Sequence, residues 1–216
     1  MKNASPFFVA VFLSCIAVLG AGCSNNSRKI PENFDYGNWT DSTYRNDFFG
    51  FSITLPEGWN VASAEEFEAD IRAGRDILAM SEDAKKRMKA ADITTANLFH
   101  VSQYTQEEAE KAGTNSAITS LAENLSKQNI NLQQYAELTR RNLAQSLQNV
   151  VITPGVNRTI GGREFAVTEI KFTAFGVQQE QLLCLKNGFG VCFGVTWTED
   201  SEKKLLDDIM ATLKWD

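Results

Sequence analysis

The sequence predicts an α+β fold, a three-layer α/β/α sandwich around a central antiparallel sheet. Three observations carry that prediction. The C-terminal third is a series of apolar runs separated by Gly161-Gly162, Phe175-Gly176 and Asn187-Gly188, and Gly-Gly and Asn-Gly are the pairs that tight hairpins with positive φ demand. Leu182-Leu183-Cys184-Leu185 and Val191-Cys192-Phe193 do not alternate, which is the pattern of strands covered on both faces. Stretches with apolar residues at helical spacing lie before and after this meander, able to cover both sides of a sheet.

The chain begins with a charged Met1-Lys2 and an apolar run over 6–19. As a helix that run rises about 21 Å, short of the ~30 Å hydrocarbon core, so a signal peptide over 1–22 fits better than a membrane span. It closes on Gly20-Ala21-Gly22-Cys23. This closing stretch resembles the lipobox of bacterial lipoproteins, whose cysteine is joined to diacylglycerol, cleaved and acylated. The family usually carries a larger aliphatic residue three before the cysteine; here Gly20 stands there, with Leu19 one step earlier. The resemblance implies a lipid on Cys23, attachment to the membrane and an extracytoplasmic location on the bacterial cell membrane. Ser24-Asn25-Asn26-Ser27 has nothing apolar to bury, so residues 23–40 are expected to be a flexible tether and 41–216 the folded domain.

The 21 Lys and Arg against 27 Asp and Glu give a net charge of −6. That balance argues against nucleic acid as a partner, which needs clustered cations. About 175 residues after the tether make one core. Phe51-Ser52-Ile53-Thr54-Leu55 alternates as a half-buried strand, with Tyr44, Asn46 and Phe48 alternating before it and Pro56-Glu57-Gly58 turning after it. A helix is expected over 64–89 on the stripe Phe67, Ile71, Leu78 and Met88, weakened or split by Gly74. A strand over 97–104 follows, then helices over 116–127 and 132–147, the latter capped by Asn131. The meander occupies 150–197, and a last helix over 202–213 covers one face with Leu205, Leu206, Ile209, Met210 and Leu213.

"YRNDFFGFSITLPEGW" near the start and "FGVTWTEDSEKKLLDDIMATLKW" at the end resemble bacterial lipoproteins with PsbP-like domains, over about residues 40–216. In that superfamily the early Tyr-to-Trp segment opens the sheet and the closing helix ends in a Leu-Lys-Trp-like tail. Described members include a photosystem extrinsic subunit and a GTPase-binding protein, which act by protein contact. The resemblance transfers no functional residue.

Candidate chemistry is sparse. With a two-residue Asn187-Gly188 turn, Cys184 faces Val191 and Cys192 faces Leu183, so the two sulfurs fall on opposite faces. Buried thiols acting as small apolar residues are expected, and a disulfide is the alternative if the loop has three residues. His100, the single histidine, shares strand parity with Leu98, Ser102 and Tyr104 and reads as structural. A hydrolase would need a nucleophile or carboxylate within its reach. A zinc site lacks Cys-x-x-Cys and a second histidine, and no calcium loop or nucleotide motif occurs, so neither metal nor cofactor is expected. The carboxylates of Glu65, Glu66, Glu68 and Asp70 and of Glu107, Glu108 and Glu110 point different ways on a helix and read as solvated. Gln133, Gln134, Gln145 and Gln148 belong to an amide-rich stretch that is a candidate partner-binding face. The expectation is a non-catalytic, membrane-anchored binding module with an unidentified protein partner; the alternative is a lipoprotein that binds a small molecule or glycan in a concave pocket.

Overall fold

The computed structural model describes residues 29–79, 81–126 and 128–216. Cys23, the leader and the first part of the expected tether lie outside the described residues. Two antiparallel sheets and five helices make up the described part.

The larger sheet has the order β4(Asn60–Val61), β5(Thr95–Ser102), β6(Ala117–Asn124), β11(Phe189–Trp197), β10(Val177–Lys186), β9(Arg163–Phe172), β7(Val150–Pro154), with β8(Arg158–Ile160) continuing the edge beside β7 on β9. The smaller sheet has the order β1(Asn38–Thr40), β2(Thr43–Asn46), β3(Phe51–Thr54), β12(Lys214–Trp215). Helices α1(Ala64–Leu78), α2(Glu82–Ala91) and α4(Leu132–Ser146) cover one face of the larger sheet. Helix α5(Asp200–Met210) and the smaller sheet cover the other, giving three layers. Helix α3(Gln106–Ala112) joins β5 to β6.

Turn chemistry sets the meander. Asn187 and Gly188 have φ of 51° and 79°, the two-residue turn that Asn-Gly favours. The register follows from it: Cys184 faces Val191 and Leu183 faces Cys192, as expected. Cys184 accordingly joins Leu182, Val191 and Phe193 against the smaller sheet, while Cys192 lies with Leu121 and Leu183 under the helices. Cys184 is a free, buried thiol.

Four expectations are corrected. Residues 116–127 form strand β6, not a helix; β6 is buried along its whole length between β5 and β11, and such strands show no alternation to betray them. The helix over 64–89 is two helices, one ending at Leu78 and one starting at Glu82, rather than one split at Gly74, because the Ser81 side chain accepts from the Ala84 N–H and caps the second. The early segment builds a second sheet with the C-terminal tail instead of opening the larger one. The flexible tether cannot extend to residue 40: Phe34 is buried in the core, β1 pairs with β2, and the Ile30 N–H donates to the Ile93 carbonyl.

Candidate ligand cavity

A cavity of about 620 Å³ opens between α1, the end of α2, β5 and the rim of the smaller sheet. Its shape follows from a local irregularity. The β5–β6 register shifts between Asn97 and Phe99, and the extra residue makes both Asn97 and Leu98 line the cavity. Helix α1 bridges the space above them. It starts on a reciprocal capping box, Ser63 with Glu66, which fixes the helix origin so that Phe67, Ile71 and Arg75 fall on one stripe facing inward.

The wall toward the smaller sheet is aromatic. Trp39, Tyr44 and Phe99 are mutually packed, with ring centroids 4.7–5.7 Å apart. Tyr44 is buried and its hydroxyl donates to the Tyr36 carbonyl; burial pushes its phenol well above the ordinary range. Gly37 has φ +76°, and a Cβ there would collide with the Tyr44 ring, so this glycine lets the wall close. Tyr36 stands half exposed at the rim.

Arg75 occupies the last turn of α1, where the helix dipole favours a cation. Its side chain is only 9% exposed and bonds Asp92 Oδ1 through one terminal nitrogen at 2.7 Å. Arg75 Nε is buried with no hydrogen-bond partner among the described residues. An unmatched buried donor of this kind costs about 1–3 kcal/mol. At the mouth Arg72 pairs with Glu68 at 3.5 Å. The cavity therefore holds two cations and two carboxylates in matched pairs on a mainly apolar and aromatic lining. It can surround a small molecule with apolar and aromatic groups, the two ion pairs and the polar residues Thr95 and Asn97.

His100 lies outside this lining. It is buried, its Nδ1 is 2.9 Å from Thr119 Oγ1, and its ring is 5.7 Å from that of Phe67. Burial pushes it down to about 3, so the imidazole is neutral at ordinary pH. His100 stands in a buried cross-strand row with Thr119, Gln181 and Thr168, joined through Gly194. Burial likewise pushes the Cys184 thiol up to about 12, against Arg163 and Lys186, and a protonated thiol is a poor nucleophile. Cys184 and His100 sit on opposite faces of the sheet. Among the described residues no group of three His, Cys, Asp or Glu side chains could hold a metal ion.

Gln133 and Gln134 are exposed on the first turn of α4, and the Gln134 side chain accepts from the Asn131 N–H in a capping box. Gln145 is exposed in the last turn, roughly 16 Å away along the helix axis at ~1.5 Å per residue. Gln148 lies beyond the helix and donates to the Ile77 carbonyl of α1. The four amides are thus dispersed along the helix rather than gathered into one patch. Arg75 and Asp92 were not among the sequence candidates. The signal was present: Phe67, Ile71 and Arg75 recur every fourth residue, and a cation at a buried stripe position is the anomaly that marks the site.

No family model matches the chain, and no curated protein does. Among solved structures the chain is similar to cyanobacterial PsbP (CyanoP) from Synechocystis sp. PCC 6803, at 9% identity and a TM-score of 0.49, over 92% of this chain and 99% of that one. It is also similar to LpqN, described as involved in cell envelope biogenesis of Mycobacterium tuberculosis, at 12% identity and a TM-score of 0.41, over 76% of this chain and 82% of that one. Neither likeness bears on function. Among the described residues no helix is long and apolar enough to cross a membrane.

Proposed function

We propose that this protein is an extracytoplasmic lipoprotein, anchored through Cys23, that binds a small molecule or glycan. The cavity beneath α1 is the observation that supports the reading. Its volume lies in the ~300–1,000 Å³ range of small-molecule sites, and it combines apolar walls with a few fixed polar groups. Among the binding modules the sequence allows, this arrangement favours the ligand binder over a purely protein-contacting one.

The described chain enters the fold near the cavity. Ile30 bonds Ile93, which stands between Asp92 and the cavity residue Thr95. Five residues separate Cys23 from Lys29, a reach of at most about 20 Å. Exposed Tyr36 and Phe48 are both packed on Phe34.

Two measurements test the reading. Cys23→Ser abolishes labelling by a fatty-acid analogue and releases the protein from membranes; a variant that stays labelled removes the anchor. Organic extracts of the purified wild type contain a molecule that extracts of Ile71→Trp, which fills the cavity, lack by mass spectrometry. Identical extracts would return the weight to a protein partner.

A further inference from the structure

We propose that the ligand is a short extended peptide that adds a strand to the open edge of β5, bonding the backbones of Thr95 and Asn97. The proposal rests on the cavity being the binding site and names the class of ligand that the site takes.

The starting point is a partner strand cut short. β5 runs for eight residues, but its outer neighbour β4 pairs only with Val101 and Ser102, and the Ala62 N–H donates to the His100 carbonyl. The chain then leaves the sheet, because Ser63 caps α1. Beyond the other end of β5 the Ile30 N–H donates to the Ile93 carbonyl. Between these two points the register fixes which backbone groups face outward. The Thr94 carbonyl accepts from the Asn124 N–H of β6, so by the alternation of an antiparallel ladder Ala96 also bonds β6, and Thr95 and Asn97 turn their N–H and C=O to the open side. The bulge between Asn97 and Phe99 inserts one residue, which is why the next outward position is His100. Among the described residues no backbone group pairs with Thr95 or Asn97 on that side. Both residues line the cavity and are partly exposed.

The cavity follows this gap. Its lining runs from Ala62, beside His100, to Asp92, beside Ile93, with Phe67 and Ile71 of α1 on one side and Trp39, Tyr44 and Phe99 on the other. Side chains of an added strand alternate between two such walls, and the stretch 95–99 matches roughly 17 Å of peptide at ~3.3 Å per residue. The mixed lining of apolar, aromatic and charged groups singles out no one side chain, and strand addition does not require it to. There the main-chain bonds give the affinity and the flanking pockets give the preference. The opposite edge of the sheet is unlike this one, because Pro154 and Gly155 interrupt it between the short β7 and β8.

The test uses the full lipidated protein in detergent micelles, with a phage-displayed library of random heptapeptides as probe and Ile71→Trp for counter-selection. Selected peptides are expected to bind the wild type at least tenfold more tightly than Ile71→Trp, measured by fluorescence anisotropy. N-methylation of such a peptide, one residue at a time, weakens binding at least tenfold at alternate residues only, because every second N–H faces β5. Asn97→Pro lacks the outward N–H yet leaves the bonds to β6, and weakens binding at least tenfold, while Asn97→Ala stays within threefold of wild type. Melting curves confirm that each variant is folded; if Asn97→Pro is not, the methylation series decides alone. A library that yields no peptide able to distinguish wild type from Ile71→Trp overturns the peptide ligand, and the comparison of extracts still judges the cavity. Methylation without a period of two, or a folded Asn97→Pro that binds as Asn97→Ala does, overturns strand addition and leaves the cavity standing as a binding site.

Discussion

His100 and Asp70 show how burial turns single side chains into pH-dependent elements of stability. His100 is pushed from its ordinary 6.5 to about 3 by burial, so below pH 6.5 the unfolded chain takes up a proton that the folded chain refuses. Its contribution is complete above 6.5 and declines as the pH falls toward 3. Asp70 moves oppositely: burial, and then the neighbouring Glu66, raise it from 3.8 to about 6. Its folded form therefore gains a proton first, and stability from this group is lost as the pH rises from 3.8 through 6. In an Asp70→Asn background, unfolding followed by urea should lose about 2 kcal/mol between pH 6.5 and 5. Adding His100→Asn should flatten that slope. The carboxyls of Glu66, Glu108 and Glu202, all held below their usual value, contribute stability that is lost only as the pH drops under about 4.5. The composition already makes a lone histidine among apolar neighbours legible as structural. Its partner, Thr119, was not legible, because the segment carrying Thr119 reads as a helix.

That segment, β6, illustrates what a helix or strand inherits from its neighbours. Ile118, Leu121 and Leu125 satisfy a helical spacing, yet the backbone pairs with β5 on one side and β11 on the other. Partners about 20 and about 70 residues away decide the matter, and local periodicity does not record them. Helix α3 was missed for the opposite reason. Thr105 and Glu108 form a reciprocal capping box visible as Thr-x-x-Glu, but the acidic run 107–110 also reads as a solvated charge cluster. Helix α4, by contrast, is where the sequence puts it, with Asn131 and Gln134 closing its N-terminus. Its docking depends on one small residue, for the buried Tyr135 ring lies directly on Gly190 of β11, where a Cβ has no room. Gly190→Ala should destabilise the protein by about 2 kcal/mol through overpacking, measured by chemical unfolding. Gly188→Ala, at an open turn position, should act through its backbone alone. Equal melting of Gly190→Ala and wild type would show that α4 can shift to accommodate the methyl group.

The two sheets meet through the chain's last residues. Trp215 of β12 packs on Phe51 of β3 and Phe165 of β9, and the Arg163 guanidinium lies 4.4 Å over its ring. Asp216 adds an ion pair to Arg45 and a backbone bond to Gly50. On the same face, Arg158, Glu180, Lys203 and Asp207 form a half-buried ionic network that ties α5 to β8 and β10. Trp215→Ala should cost about 3 kcal/mol and raise hydrogen exchange in β2 and β3 before it does so in β10 and β11. Uniform exchange across both sheets would mean that they unfold as one unit. Leu213 and Trp215 of the "LKW" ending mark a docked tail in the sequence, but its partner strand does not appear there. The Gly161-Gly162 and Asn187-Gly188 turns and the Asn131 cap are legible because they are local: a residue's own φ preference and its neighbours within four positions settle them. The second sheet, the identity of β6 and the cavity around Arg75 arise from contacts between segments far apart in the chain. Their stability comes from burying both partners together, a property that neither segment carries alone.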